Sequence, residues 1–384
     1  NDKKLRDELV DWCVDEPWFD NAQDDCRFMH CLPVRRGVVV ADRILDGPRS
    51  VVIHEARNRM LAQMAVLHRM LRQPMTSKRE LAIVVSALKH AAPYIRLFKG
   101  KVFVLKAGGE IFADKAATTA LMEQVGILHQ VGIRVVMIHG GGPQSTQLAA
   151  ALGVDTTFVD GWRVTDGASL DVATMVLNGQ INTRVLAACR DLQIPAVGIS
   201  GVDAGLIRAH KRPPVEREGE STIDYGFVGD IDSVDADILR KQLDNGLMPV
   251  VSPLSCDESG TLLNINADTV AAAIAAELEA EKLILLTGAP GVLEDASDPH
   301  SLISYIDRAQ LDKLRDDGKL ADGMLPKAAA IDSALANGVQ RVHVISYNFP
   351  DSLLLEVFTN EGTGTLVVND VNALTPAEQA GGGS

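Results

Sequence analysis

Two glycine-rich loops each follow an apolar, strand-like run of residues. They are residues 106–109 (KAGG) and residues 139–142 (HGGG). Glycine permits backbone conformations in which successive N–H groups converge on phosphate oxygens, and Lys106 adds a positive charge at the end of its strand. A pair of ordinary tight turns would have the same composition. A single loop leaves both interpretations open, whereas the two loops together with Lys106 favour phosphate binding.

Two further segments place polar residues near the beginning of a predicted helix. Residues 264–268 (NINAD) precede a helical run over residues 269–278, and residues 323–327 (GMLPK) precede an alanine-rich helix predicted from Ala328. Asp268 could simply cap its helix, and Lys327 could be a surface lysine. No GxxxxGK[ST] or GxGxxG sequence occurs, so these loops belong neither to a P-loop enzyme nor to a dinucleotide-binding fold.

In this order, the four segments resemble motifs of the amino acid kinase family, and within it of the acetylglutamate kinases. Residues 161–165 (GWRVT) add another motif of those kinases, and the resemblance extends over about residues 77–369. It implies an α/β fold, namely a three-layer sandwich with a mostly parallel central sheet. It also implies an ATP-dependent enzyme of arginine biosynthesis that phosphorylates the γ-carboxylate of N-acetyl-L-glutamate.

The same resemblance assigns roles to individual residues. Lys106, Lys327 and Asp268 would be catalytic, with Asp268 holding the two ammonium groups. The expected substrate-binding residues are Gly141, Gly142, Arg163 and Asn264, and the phosphate-loop glycines are Gly108, Gly109 and Gly140. The expected ATP-binding residues are Thr287, Gly288, Ala289, Pro290, Gly291, Val292, Lys319, Leu320 and Ala321. Mg²⁺ would be held mainly by the ATP phosphates.

One departure from the family pattern keeps alternatives open. Gly288 stands where the family usually has Asp or Asn, which lowers the expected affinity for nucleotide. A non-catalytic, arginine-sensing module with the same fold would explain this glycine. Because the sequence does not fix the length of the substrate pocket, a kinase for a related acyl amino acid, such as an aminoadipate derivative, is a further alternative.

The composition excludes several classes of partner. The chain has 384 residues, with 37 Lys and Arg against 51 Asp and Glu, and a formal net charge of -14. This sign of charge opposes binding to nucleic acid or to an anionic membrane surface, and no apolar run approaches the roughly 20 residues that cross a bilayer. The five cysteines form no C-x-x-C pair, which predicts a reducing compartment, and we expect the cytoplasm.

Continuous apolar runs predict the elements that position these motifs. They lie at residues 102–106, 134–138, 196–199, 249–252, 283–286 and 341–345. Such strands are buried on both faces, so they predict a parallel sheet whose ligands bind at the carboxyl ends of the strands. A more polar stretch at residues 208–232 predicts a hairpin or a lid. We expect an acyl-amino-acid lobe over residues 101–255, a nucleotide lobe over residues 256–369 and a flexible tail over residues 370–384.

Residues 1–75 resemble a different family. Residues 28–36 (FMHCLPVRR) and 56–63 (ARNRMLAQ) are similar to the C-terminal end of an N-acylornithine or ornithine carbamoyltransferase, in which residues 30–33 and Arg59 would match substrate-contacting positions. The S-x-x-T-R phosphate motif of that family is absent, so we expect this segment to be inactive; a docking segment is the alternative. Short strands are predicted at residues 38–40 and 50–53, and a helix at residues 55–71.

A helix over residues 76–100, kinked or ended at Pro93, resembles the extra N-terminal helix of arginine-inhibited, hexameric acetylglutamate kinases. The C-terminal region resembles their effector site, where Glu356, Glu361, Gly362 and Gly364 would bind L-arginine. Asp351, where arginine-responsive members often carry His, argues against this. The resemblance therefore implies a homo-oligomer, either a dimer or a hexamer, with L-arginine as an effector.

Overall fold

The computed structural model describes residues 12–30, 34, 36–53, 78–159, 162–216, 222–295, 297–298, 300–320, 322–359 and 362–371. The chain divides into two compact units, Asn1–Ala87 and Leu88–Ser384.

The strands among these residues are short and mostly apolar. In chain order they are β1 (Val102–Ala107), β2 (Arg134–His139), β3 (Phe158–Val159), β4 (Trp162–Arg163), β5 (Ala196–Ser200), β6 (Ile207–Lys211), β7 (Gly229–Val234), β8 (Met248–Ser252), β9 (Leu254–Cys256), β10 (Leu262–Asn264), β11 (Lys282–Thr287), β12 (Tyr305–Asp307), β13 (Val342–Ser346) and β14 (Thr365–Val368). All six predicted strands are confirmed, with bounds that differ by one residue.

The described α-helices are α1 (Asp42–Leu45), α2 (Lys78–Phe98), α3 (Lys115–Gln130), α4 (Gly142–Leu152), α5 (Gly167–Thr174), α6 (Thr183–Asp191), α7 (Asp237–Asp244), α8 (Ala267–Glu277), α9 (Arg308–Asp316), α10 (Leu325–Ala336) and α11 (Ser352–Phe358). A π-helical stretch, Met175–Asn182, joins α5 to α6. Short 3₁₀ turns lie at Glu16–Phe19, Ile111–Ala113, Asp203–Gly205 and Asp322–Met324.

The first unit has a small apolar cluster formed by Phe28, Val40, Ile44, Leu45 and Val52. The two strands predicted here were wrong. Val40 and Ser50 form only isolated bridges, and the backbone at Val52 is helical. An apolar run of three or four residues is too short for its periodicity to distinguish a strand from a turn or a helix. The helix predicted at residues 55–71 and the motif residue Arg59 lie outside the described residues.

The second unit is built on an eight-stranded sheet in the order β12-β14-β13-β11-β1-β2-β8-β5. Six neighbouring strands, from β13 to β5, are parallel to one another. The strand β14 pairs antiparallel with β13, and β12 pairs parallel with β14. This arrangement confirms the predicted α/β fold with a mostly parallel central sheet. It also brings the loops that follow β1, β2, β11 and β13 to one edge.

Helices cover both faces of this sheet. Side chains alternate along β1, so that Phe103 and Leu105 pack in one apolar layer with α3, whereas Val104 packs in the other with α8 and α10. These are the three layers that the family resemblance implied. By the same alternation Lys106 points to the side of α8 and α10.

Two smaller sheets flank the carboxyl edge. The strands β6 and β7 form an antiparallel hairpin, which confirms the hairpin predicted for residues 208–232, and they belong to a four-stranded sheet with β9 and β10. The strands β3 and β4 form a second hairpin, in which Phe158 pairs with Arg163 and Val159 with Trp162.

The helix α2 has 21 residues and continues through Pro93 to Phe98, so Pro93 does not end it. Among the described residues no helix is both long enough and apolar enough to span a bilayer.

Candidate active site

Three charged side chains from three elements meet at the carboxyl edge of the sheet. Lys106 is the second-to-last residue of β1, Asp268 lies in the first turn of α8, and Lys327 lies in the first turn of α10. The Nζ atom of Lys106 is 2.9 Å from Oδ1 of Asp268, and the Nζ atom of Lys327 is 3.4 Å from Oδ2. One carboxylate therefore bridges two ammonium groups.

Burial makes this cluster electrostatically demanding. Lys106 and Asp268 are 5% and 4% exposed. Burial disfavours a charged carboxylate, but the two lysines outweigh it, so the pKa of Asp268 lies below its ordinary value. Burial, together with the charge of Lys327, lowers the pKa of Lys106 in spite of the attraction of Asp268. The carboxylate is thus ionised, and both lysine side chains lie beside it at the wall of a cavity.

The helix α8 is capped by a different residue from the one the sequence suggested. Oδ1 of Asn266 accepts hydrogen bonds from the backbone N–H groups of Asp268 and Thr269, at 2.8 and 3.2 Å. Capping by Asp268 was therefore wrong, and its carboxylate is left for the two lysines. Likewise α10 begins at Leu325 and not at Ala328, so Lys327 lies inside the helix.

The two glycine loops contact each other through their backbones. The N–H group of Gly140 donates to the carbonyl of Ala107 at 2.8 Å, and a Cβ atom on Gly109 would lie 2.9 Å from the Cα atom of Gly141. Gln144 donates from Nε2 to the carbonyl of Gly109 at 2.6 Å. Because β1 and β2 are neighbours, the loops form one continuous wall, and any side chain on Gly109 would separate them.

A buried histidine, His139, supports the second glycine loop. His139 is fully buried, its Nδ1 atom lies 3.3 Å from the carbonyl of Gly140, and its Nε2 atom lies 3.1 Å from Nδ2 of Asn182. Nδ1 must donate and Nε2 must accept, which requires the neutral ring. Burial accordingly lowers the pKa of His139 to about 4. The π-helical stretch supplies Asn182 and also places Ile181 against Gly141.

Arg163 lies at the end of the β3–β4 hairpin and points toward the second glycine loop. It donates from Nη2 to the carbonyl of Gly142 at 3.1 Å and to Oγ1 of Thr146 at 2.6 Å, and its guanidinium lies over the ring of Phe158. Burial lowers its pKa. None of the ion pairs among the described residues involves Arg163, so its charge has no carboxylate partner there.

These side chains surround a cavity of about 430 Å³. Every residue predicted to be catalytic, substrate-binding or part of a phosphate loop lines it, together with Thr287 and Gly288. The side chain of Asn264 is held at the cavity by a hydrogen bond from its Nδ2 atom to Oγ1 of Thr165, at 3.3 Å. The structure thus brings together motifs that are up to 221 residues apart in the sequence, from Lys106 to Lys327.

A second cavity, of about 330 Å³, adjoins the first and shares Thr287 and Lys327 with it. Of the residues predicted to bind nucleotide, this cavity is lined by Thr287, Ala289, Gly291, Lys319 and Leu320. Val292 is instead fully buried, and its N–H group donates to Oγ1 of Thr365. Pro290 lines neither cavity, and Ala321 lies outside the described residues.

Outside the predicted motifs, sequence reasoning missed three polar side chains that line the larger cavity: Glu110, Ser145 and Tyr347. The hydroxyl of Tyr347 lies 3.2 Å from where a Cβ atom on Gly288 would be. The signal in the sequence was incomplete. Tyr347 directly follows a predicted strand, but only the fold shows that Thr287 and Ser346 pair in the sheet and that the residues after them are neighbours.

Three of the predicted effector residues, Glu356, Gly362 and Gly364, have structural roles of their own. Glu356 is buried, its Oε1 atom is 2.6 Å from Nδ1 of His343, and its Oε2 atom accepts from the N–H group of Thr363 at 2.6 Å. Gly362 adopts a positive φ of 41° beside Glu356, and a side chain on Gly364 would collide with the backbone of β13. Glu361 lies outside the described residues. Binding of a guanidinium by Glu356 stays a prediction that would require these contacts to open.

The neutral state of His139 predicts a dependence of stability on pH. The unfolded ring titrates near pH 6.5, whereas the folded ring titrates at about 4, so only the unfolded chain takes up this proton in between. The free energy of unfolding should therefore fall by about 1.4 kcal/mol for each pH unit from 6.5 down to 4 through this group.

Urea unfolding of the wild type and of His139→Gln, at pH 7, 6 and 5, measures this slope, with exposed His300→Gln as the control. The His139 variant should lose less stability between pH 6 and 5 than the other two proteins. Equal slopes in all three would contradict the buried neutral state.

The chain matches known families along most of its length. Residues 101–346 match the sequence profile of the amino acid kinase family. Residues 1–70 match that of the Asp/Orn-binding domain of aspartate/ornithine carbamoyltransferases, which confirms the second resemblance.

Its relatives carry a consistent name. The chain is 46% identical to acetylglutamate kinase of Myxococcus xanthus over 77% of this chain and 97% of the relative. It is 41% identical to acetylglutamate kinase of Archaeoglobus fulgidus over 74% of this chain and 98% of the relative. Among solved structures, the N-acetylglutamate synthase of Neisseria gonorrhoeae in complex with coenzyme A and N-acetyl-glutamate has a TM-score of 0.66 and 30% identity, over 75% of this chain and 64% of that one. The chain therefore belongs to the amino acid kinase family, among the acetylglutamate kinases.

Proposed function

We propose that the larger cavity binds N-acetyl-L-glutamate and the ATP phosphates, and that the smaller cavity binds the rest of the nucleotide. The γ-phosphoryl group would then be transferred from ATP to N-acetyl-L-glutamate where the two cavities meet. The observation that carries this proposal is the Lys106–Asp268–Lys327 cluster, in which Lys327 lines both cavities. The relatives named acetylglutamate kinase supply the identity of the acceptor.

The chemistry needs no general base. A substrate γ-carboxylate is already ionised at pH 7 and can attack the γ-phosphorus in line. Catalysis then consists of positioning and charge neutralisation. Lys106 and Lys327 would stabilise charge on the transferring group, Asp268 would keep their ammonium groups apart and oriented, and the N–H groups of the glycine loops would donate to phosphoryl oxygens.

Arg163 is the group that fits the α-carboxylate of the acceptor. Its guanidinium is half-buried at the cavity wall without a carboxylate partner among the described residues, and two of its donors are fixed by Gly142 and Thr146. A fixed guanidinium fork binds a carboxylate with defined geometry. Asn264, held by Thr165, would donate to the same molecule.

Mg²⁺ would accompany ATP. No group of three His, Cys, Asp or Glu side chains suited to a metal ion occurs within the described residues, and Mg²⁺ commonly binds through substrate phosphates with one or two carboxylates. The carboxylates lining the larger cavity are Asp268, which is committed to two lysines, and Glu110. Glu110 would hold the ion together with the phosphates, and the ion would offset charge on the β- and γ-phosphates.

The acyl phosphate product gives a direct assay. Purified protein is incubated with ATP, Mg²⁺ and N-acetyl-L-glutamate, and hydroxylamine traps the product as a hydroxamate. N-acetyl-aminoadipate in parallel tests the longer acceptor, and calorimetry with ATP tests the sensor alternative. Hydroxamate from the longer acceptor alone would change the substrate, and no hydroxamate from either, with no ATP binding, would overturn the kinase.

Regulation by L-arginine and assembly into a homo-oligomer are further proposals. The same synthase of Neisseria gonorrhoeae has a structure in complex with L-arginine, at a TM-score of 0.65 and 29% identity. Light scattering and the hydroxamate assay on the intact chain, with and without L-arginine, test both proposals. A monomer whose activity is unaffected by millimolar L-arginine would exclude them. A cytoplasmic location also stays a prediction.

Replacement of either lysine should affect turnover more than binding. In Lys106→Ala or Lys327→Ala, kcat should fall by about 10²- to 10³-fold, because each ammonium group opposes charge that is redistributed mainly in the transition state. Steady-state kinetics by the hydroxamate assay measures this, with the exposed Arg240→Ala as the control. A rise in KM at unchanged kcat would show that the lysines only bind substrate.

Replacement of Arg163 should have the opposite signature. Arg163→Ala removes a contact to a carboxylate that does not react, so KM for N-acetyl-L-glutamate should rise by about 10- to 100-fold, whereas KM for ATP should stay within about twofold. If KM for ATP rises alone, the assignment of the acceptor and nucleotide cavities is reversed.

A further inference from the structure

Arg212, directly after β6, connects the two hairpins at the carboxyl edge. Its guanidinium forms a two-pronged ion pair with Asp230 on β7, with Nη2 2.7 Å from Oδ1 and Nε 3.2 Å from Oδ2. It also lies over the ring of Trp162 on β4, with Cζ 4.2 Å from the ring centre, and 5.5 Å from that of Tyr225. A cation anchored on one hairpin thus packs against an aromatic ring of the other.

Trp162 is the residue next to Arg163. Adjacent residues of a strand point to opposite faces, so Arg212 holds one face of β4 while Arg163 on the other reaches Gly142 and Thr146. Trp162 and Arg163 also line one cavity of about 410 Å³ together with Asn264. A displacement of the indole ring would therefore move the guanidinium of Arg163.

Among the described residues, backbone hydrogen bonds join Thr165, just beyond the hairpin, to residues 225–227, whereas none joins the strands β3 and β4 to another element. Thr165 donates to the carbonyl of Tyr225 at 3.0 Å and accepts from the N–H group of Phe227 at 2.6 Å. Gly226, with a φ of 71°, permits this approach, since a side chain there would collide with Thr165. The β3–β4 pair has two residues in each strand, so it depends on side-chain contacts for its position.

We propose that Arg212 is a positioning residue for the acceptor substrate: by stacking on Trp162 it sets the place of the β3–β4 hairpin and hence of Arg163. The proposal rests on the proposed function for the role of Arg163. Asp230 orients the planar guanidinium so that its face meets the indole, which a lysine would not reproduce. Arg212 contacts no reacting atom, so its effect reaches the substrate through Trp162 and Arg163.

Kinetics of Arg212→Ala test this arrangement. KM for N-acetyl-L-glutamate should rise by about 10-fold, while kcat and KM for ATP stay within about twofold. Such a change corresponds to about 1.4 kcal/mol, which lies between the values of an exposed and a desolvated cation–π contact. Arg208→Ala, an exposed arginine on β6, is the matched control. Arg212→Lys should resemble Arg212→Ala, because a lysine keeps the charge but not the planar, two-pronged geometry.

A double-mutant cycle tests the route through Trp162. Trp162→Leu should raise the same KM, and combining it with Arg212→Ala should raise KM no further, because both changes remove one contact. Additive effects would overturn the proposal, as would an Arg212→Ala variant with the KM of the control or with an equal rise in KM for ATP.

Fluorescence separates this proposal from the proposed function. Trp12 and Trp18, the other two tryptophans, are exposed, so a Trp12→Phe/Trp18→Phe variant reports on Trp162 alone. In that background Arg212→Ala should increase quenching of Trp162 by iodide, relative to Arg208→Ala, whether or not the protein makes hydroxamate. Unchanged quenching would show that Arg212 does not hold Trp162 in place. Increased quenching in a protein without kinase activity would contradict the proposed function but would still support the contact between Arg212 and Trp162.

Discussion

The fold around the site depends on one buried carboxylate between two lysines. An unpaired charge at the position of Asp268 would be strongly destabilising, so Lys106 and Lys327 must both be delivered to it. The arrangement is unfavourable for the lysines themselves. Lys106 is desolvated and repelled by its neighbour, and Lys327 lies in the first turn of α10, where the helix dipole disfavours a cation. Lysine side chains kept in so unfavourable an environment are expected where the ligand is an anion.

The sheet order supplies this cluster and its surroundings together. The strands β1 and β2 are neighbours, so their glycine loops form one wall; β11 and β13 are neighbours, so Thr287 and Tyr347 form the opposite side. The helices α8 and α10 cover the same face of the sheet, which points the carboxylate and the second lysine at the end of β1. Parallel topology therefore places the larger and the smaller cavity side by side, with Lys327 lining both of them.

The sequence predicted the parts that depend on local pattern. Continuous apolar runs predicted six strands of the sheet, and the glycine loops, Arg163, Asp268 and Lys327 were found because their motifs are contiguous. Asn182 behind His139 and Arg212 on Trp162 were not found, because each depends on a contact between residues that only the folded chain brings together. Asn266 was missed for a local reason: Asp268, two residues further on, is an equally suitable capping residue, and the sequence does not fix which of the two begins the helix. The two strands predicted in the first unit were wrong because runs of three or four apolar residues are too short to distinguish a strand from a turn or a helix.

The contact with Tyr347 changes the interpretation of Gly288. In the sequence alone, the missing side chain weakens the nucleotide loop and favours a non-catalytic sensor. In the folded chain the hydroxyl of Tyr347 lies beside the same position and lines the same cavity, and Asn348 donates from Nδ2 to the carbonyl of Gly288 at 3.0 Å. A larger residue at position 288 would compete with Tyr347 for this space, so the two positions act as a pair. The glycine therefore does not distinguish a sensor from a kinase, whereas the charged cluster, which a sensor does not need, favours the kinase.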